Sequence, residues 1–186
     1  MVERDASILA PLAGFYAAAG RTPPVVEVVA APDVPHALRD LLAAPQPLTP
    51  RLEDRHGETL VLRVLERRRT GDHYARRIVL VRGDGVPVVL GAIEMDLGRL
   101  APDERTAVLA EATPFGHIVA GAVTTPDALL RLACDGDIAV VLAIPTGPGW
   151  LYGRRCTLAD PSGAMVARVV EVLAPDPPPR VRNTGS

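Results

Sequence analysis

The chain has 186 residues, 48% hydrophobic and 23% charged, which suits one domain with a buried core. A formal net charge of -2 and 3% aromatic residues provide no basic face or stacking platform for nucleic acid, and no polybasic patch for an anionic membrane. All 20 basic residues are arginine, which excludes Schiff-base lysine chemistry and a Walker A phosphate loop.

The N-terminal stretch MVERDASILAPLAGF carries acids and lacks the basic start of a secretory signal. No apolar run reaches the ~18 residues of a membrane span, so a cytoplasmic location is expected. Ala6–Ala19 reads as an Ala-rich apolar helix, and Pro23, Pro24, Pro32 and Pro35 break up the next stretch. His36–Ala44 reads as a short helix, and Pro45–Thr49 as a loop leading into the sheet. Thr59–Arg67 alternates, with Leu60, Leu62 and Val64 on one face, as a strand does. Arg69–His73 is a polar connector. Tyr74–Arg82 and Pro87–Leu97 read as strands joined by the tight turn Gly83–Gly85.

Pro102–Ala112 has an acidic first turn and reads as a helix ended by Thr113-Pro114-Phe115-Gly116. Short helices are expected over His117–Ala120 and Pro126–Ala133. The apolar run Ile138–Pro145 is either a buried strand or a buried helix end. Trp150–Leu158 and Ala164–Leu173 form a last hairpin around Asp160–Gly163. The pattern predicts an α+β fold: a single antiparallel β-sheet flanked by helices, in one domain over residues 1–175. Residues 176–186 form a Pro-rich tail expected to be disordered.

Cys134 and Cys156 form no CxxC, and His36, His56, His73 and His117 are scattered. No metal site and no cofactor are expected. The most telling side chain is Glu171. Alternation puts it on one face with Met165, Ala167, Val169 and Leu173. A carboxylate among apolar neighbours needs a partner or a proton, which makes it a candidate for chemistry. The plainer alternative is a strand-end acid that reaches water or pairs with a neighbouring arginine. Arg76 and Arg77 lie within one apolar strand and face opposite sides. One is expected to face solvent, the other to be buried or to line a pocket, where it needs an anion. Arg154 and Arg155 pose the same question. The Thr113–Gly116 stop could offer backbone N–H groups to an anion, although an ordinary turn accounts for it as well.

Together these pieces resemble the chorismate pyruvate-lyase, or 4-hydroxybenzoate synthase, family, over about Leu48 to Pro175. LTPRLE at Leu48–Glu53 looks like the family's lead-in to the sheet. RRIVL and GDGVP within Arg76–Pro87 look like its arginine-bearing hairpin. TPFG at Thr113–Gly116 resembles TPLG, and YGRR at Tyr152–Arg155 resembles WGRR. PSG followed by VEVLAP at Val170–Pro175 resembles the closing strand with its glutamate. The specificity lies in the order and spacing of these matches.

The resemblance implies conversion of chorismate to 4-hydroxybenzoate and pyruvate, without metal or cofactor. By match, Arg76 would bind the ring carboxylate bidentately and the Phe115 N–H would donate to the same group. Leu48 and Gly116 would also bind substrate. Glu171 would donate a proton to the ether oxygen, with Arg76 as its catalytic partner. Three positions depart from the family pattern. Ala92 replaces an arginine found in some members, Val170 a threonine and Phe115 a leucine. They motivate an alternative, a cyclase or isomerase of the same fold acting on a larger natural-product intermediate. A third reading is a non-catalytic small-ligand sensor, because the architecture also resembles effector domains of some transcription regulators. No helix-turn-helix signal accompanies it here. The expected partner is a small-molecule carboxylate, with no nucleic acid, no membrane, and a monomeric or dimeric state.

Overall fold

The computed structural model describes residues 7–119, 123–147, 149–160 and 162–175. The tail expected to be disordered, and Pro161 in the last turn, lie outside the described residues. Seven strands form one sheet: β1 (Val26–Val29), β2 (Val61–Thr70), β3 (His73–Val81), β4 (Pro87–Asp96), β5 (Val123–Ala133), β6 (Trp150–Ala159) and β7 (Met165–Leu173). Their spatial order is β1-β5-β6-β7-β4-β3-β2, and every neighbouring pair is antiparallel. Six helices flank the sheet: α1 (Leu12–Ala18), α2 (His36–Ala43), α3 (Leu48–His56), α4 (Pro102–Ala110), α5 (Phe115–Ile118) and α6 (Gly136–Leu142). This is the α+β fold with a single antiparallel sheet that the hairpin pattern predicts.

Several local expectations are corrected. Leu48–Glu53 is not a lead-in to the sheet but the start of helix α3. Its Pro50 sits in the first turn, where the missing N–H has no partner to lose, and Leu48 and Leu52 bury one face at i, i+4. Pro126–Ala133 is not a helix but most of β5. Pro126 is tolerated because the register shifts between it and Ala128, where a ladder hydrogen bond is already missing. Tertiary pairing with β1 and β6 overrides the helix signal. The Ile138–Pro145 run resolves as helix α6, capped by Asp135, whose carboxylate accepts from the Ile138 N–H at 2.8 Å. The N-terminal helix shrinks to Leu12–Ala18 behind Pro11. The helix expected from His117 begins at Phe115, and Ala120 lies outside the described residues. The connector expected over Arg69–His73 shortens to Gly71–Asp72.

Helices cover both faces of the central strands. On one face, α1 and α6 pack with Leu90, Ala92, Val170 and Val172. On the other, two apolar clusters lie side by side. One gathers Tyr74, Met95, Phe115 and Leu158, the other Leu48, Leu52, Leu80 and Leu173. Two-sided coverage corrects the expectation that only one of Arg76 and Arg77 is buried: they are 1% and 2% exposed, on opposite faces. Arg77 lies on the α1 and α6 face. It donates to Glu66 at 2.8 Å and to Asp137, which also takes a bond from Arg21. Tyr16 lies under both guanidiniums and donates to Asp135 at 2.9 Å. This network ties both helices to the sheet.

Gly153 on β6 is required by a close backbone approach. A Cβ there would lie 2.3 Å from the Glu171 carbonyl oxygen, and backbone cannot give way. Gly153→Ala is therefore expected to cost about 1–3 kcal/mol, the cost of overpacking. A lowered urea midpoint with an unchanged m-value checks it. Burial works against ionising Asp137, but the Arg77 and Arg21 guanidiniums outweigh it and hold its pKa below the ordinary 3.8. A depressed folded-state pKa contributes stability above the unfolded value and loses it as pH falls through the folded one. Asp137→Asn should therefore lower the urea midpoint at pH 7, with the wild-type and variant midpoints converging well below pH 3.8.

Candidate functional site

Side chains directly opposite one another on neighbouring strands align in rows across the sheet. On the α3 and α5 face, one row is Tyr74, Met95, Ala167, Leu158 and Thr124. The next is Arg76, Ile93, Val169 and Cys156. The third is Ile78, Gly91, Glu171 and Arg154, and the fourth holds Leu80, Val89 and Leu173. The polar rows thus fall between the two apolar clusters. A cavity of about 70 Å³ lies there, floored by the sheet and roofed by Pro47–Thr49 and Pro114–Gly116. Gly91 keeps its row open, since a Cβ there would lie 3.0 Å from the Ile78 Cδ1.

Arg76, Glu171, Leu48, Phe115 and Gly116 all line this one cavity. The structure brings together every site residue expected from the sequence, although the chain separates Leu48 from Glu171 by most of the fold. Leu48 is 2% and Phe115 8% exposed. Gly116 lets α5 approach the N-terminus of α3, because a Cβ would lie 3.0 Å from Pro47. His117 strengthens that contact through its Nε2, 2.9 Å from the Glu53 carboxylate.

Glu171 is not isolated among apolar groups. Arg154, its direct cross-strand partner, donates from Nε to Glu171 Oε2 at 2.7 Å. The other two Arg154 nitrogens donate to the carbonyls of Ala44 and Gln46 at 2.9 and 3.0 Å. One buried guanidinium therefore holds Glu171 and also pins the α2–α3 segment over the cavity. Burial disfavours its charge, yet the Glu171 carboxylate more than compensates and the Arg154 pKa is raised.

Arg76 is the opposite case. Its two hydrogen bonds to carbonyls are long, 3.4 Å to Val108 and Thr113, the Tyr74 hydroxyl lies beside it, and its Nε has no partner among the described residues. No described carboxylate lies within ion-pair distance. Burial lowers its pKa, offset in part by Tyr74 and Glu111. Glu111 is engaged elsewhere, by the Tyr74 hydroxyl and by Arg67 at 2.6 Å. The charged groups lining the cavity are thus two cations and one anion, with the unmatched charge on Arg76.

Cys156 and Thr124 are among the lining residues that sequence reasoning did not place in the site. Cys156 is a buried thiol whose pKa burial pushes up to about 12. Thr124 is 3% exposed and its hydroxyl has no hydrogen-bond partner among the described residues. No signal pointed to Thr124, which lies between the helices expected over His117–Ala120 and Pro126–Ala133. Of the three departures from the family pattern, Ala92 and Val170 belong to the core on the opposite face, although Ala92 borders the cavity floor. Phe115 alone places its side chain at the cavity. A larger cleft of about 640 Å³, lined by Trp150, Pro145 and Pro87 among others, holds no buried charged side chain. Among the described residues no cluster of His, Cys, Asp and Glu could hold a metal, and no helix is long and apolar enough to cross a membrane.

No family model matches the chain, and no curated protein matches its sequence. Solved structures do match its fold. The effector domain of PhnF from Mycobacterium smegmatis is 15% identical with a TM-score of 0.56, covering 73% of this chain and 92% of that domain. A second structure of PhnF gives a TM-score of 0.54 at 15% identity, covering 72% of this chain and 65% of that one. The ligand-binding domain of a protein described as a GntR-family transcriptional regulator, from Bordetella bronchiseptica, gives 0.48 at 14% identity, covering 63% of this chain and 86% of that one. The seven-stranded sheet flanked by helices is the chorismate lyase-like fold of such effector domains.

Arg154→Met leaves Glu171 without its cation and frees the Ala44–Gln46 segment. Breaking a buried pair costs about 3–5 kcal/mol, but Glu171 is 17% exposed, so a loss of about 2–3 kcal/mol is expected. Urea unfolding measures it, and limited proteolysis should show faster cleavage between α2 and α3.

Proposed function

We propose that this chain is a small-molecule binding domain whose ligand is a carboxylate held by Arg76. The observation that carries this reading is a guanidinium, 1% exposed, that faces an apolar cavity without a carboxylate partner. A buried arginine calls for an anion, and its planar fork suits a carboxylate bidentately. Beyond the Arg154–Glu171 pair and the Thr49 and Thr124 hydroxyls the lining is mainly apolar, as in small-ligand sites. Likeness to an effector domain supports binding over catalysis. So does the engagement of Glu171 by Arg154, which leaves this acid already partnered where a proton donor is needed.

A cofactor-free chorismate lyase is the second reading. Glu171 and Arg76 line one cavity in adjacent rows, on strands separated by β4. Their Cα atoms are about 12 Å apart, two strand spacings of ~4.8 Å and two residues of ~3.4 Å. A ring bearing a carboxylate at one end would place its other end near Glu171. In this reading Arg76 anchors the carboxylate and Glu171 protonates the ether oxygen as the pyruvate unit leaves. A cyclase for a larger intermediate is less well supported, because the cavity is small and both residues line it. Even benzene occupies a cavity of about 150 Å³, so any ring ligand requires the α2–α3 segment to move outward.

Calorimetric titration with benzoate and 4-hydroxybenzoate tests the binding reading. Wild-type protein should bind, and Arg76→Met should weaken binding about 30-fold or more, the loss of a buried charged pair. Absence of binding to the wild type would sink it. Incubation with chorismate separates the two readings. Release of pyruvate and 4-hydroxybenzoate, lost in Glu171→Gln, supports the lyase; binding with chorismate left intact supports the sensor.

A further inference from the structure

We infer that Thr124 is a second polar anchor of this cavity, selecting ligands with a neutral hydroxyl or carbonyl group apart from their carboxylate. The inference deepens the carboxylate reading and rests on it. It starts from an inverted pattern at the beginning of β5. There Val123 is 60% exposed while the next residue, Thr124, is 3% exposed. A strand that packs one face normally buries the valine and exposes the threonine. Sliding this segment by one residue would restore the ordinary pattern, yet Thr124 pairs with Leu158 and faces inward.

The cost of that inversion is unmet within the protein. The Thr124 hydroxyl is a buried donor and acceptor with no hydrogen-bond partner among the described residues. It shares the lining of the cavity with Arg76 Nε, another buried side-chain atom without a partner among the described residues. The Arg154–Glu171 pair, by contrast, is engaged. Local violations of patterning that persist without internal compensation concentrate at functional sites. A valine would fill the same volume without leaving a polar group unmatched, so the hydroxyl serves something outside the folded chain. Its chemistry suits a neutral oxygen, since a hydroxyl can donate and accept but carries no charge to pair an anion. The ligand class is therefore a carboxylate with a second, uncharged oxygen function: Arg76 supplies affinity for the charge, and Thr124 discriminates among carboxylates.

Thr124→Val tests this with two independent readouts. The first is the thermal midpoint of the ligand-free protein, which should rise, because an isosteric change removes an unpartnered buried hydroxyl. A fall would mean that the hydroxyl supports the fold, and the inference would be overturned. The second is calorimetry with benzoate and its 2-, 3- and 4-hydroxy derivatives. In the wild type at least one hydroxy derivative should bind about tenfold more tightly than benzoate, and Thr124→Val should bring the ratio of the two affinities close to one. If all four bind wild type and variant alike, Thr124 makes no selection and the carboxylate reading stands alone. If none binds the wild type, the carboxylate reading fails and the Thr124 inference falls with it.

Discussion

The cavity is organised by one interaction, the pairing of Arg154 with Glu171. A buried guanidinium needs an anion and several acceptors, and Arg154 obtains them from two parts of the chain: Glu171 beside it, and the Ala44 and Gln46 carbonyls of the α2–α3 segment above. That single side chain fixes the glutamate and holds the α2–α3 segment over the sheet. It also decides where charge is left over. Arg154 takes Glu171, and Arg76 is left with no carboxylate within ion-pair distance among the described residues.

The two faces of the sheet show contrasting solutions to the same problem. Arg76 and Arg77 are consecutive, equally buried and point in opposite directions. Arg77 meets Glu66 and Asp137 and so becomes part of the scaffold. Arg76 meets two distant carbonyls and remains available. A fold covered on both faces makes both arginines costly, and the distribution of acids pairs one with two carboxylates and leaves the other facing the cavity. The regular rows of the sheet put Arg76, Gly91, Glu171 and Thr124 around one space, while the open position at Gly91 keeps that space from being filled.

Much of the fold was legible in the sequence. The hairpins around Gly83–Gly85 and Asp160–Gly163, the alternation in β2 and β7, the apolar strands β3 and β4, and the helices at His36 and Pro102 all come from local patterns of period and turn chemistry. Illegible elements were those in which pairing partners overrode local preference. Pro126 and Asp127 look like a helix start, but β5 is held by β1 on one side and β6 on the other. LTPRLE looked like a lead-in to the sheet, yet its leucine spacing closes a cavity roof once a sheet lies beneath it.

The sequence by itself determined the sheet and the face on which Glu171 lies, because alternation is a local property, and its resemblance to the lyase family supplied the candidate set of Arg76, Phe115, Gly116, Leu48 and Glu171. It could not assign Glu171 its partner. Ala159 opposite Met165 would, counted on without interruption, set Gly153 against Glu171, but the ladder shifts by one between Leu158 and Ala159 and brings Arg154 there instead. A one-residue shift exchanges every cross-strand partner, and nothing local announces it. Only the tertiary structure decided which arginine is paired, which is left over and which buried threonine has nothing to bond, since each depends on groups brought together from distant parts of the chain.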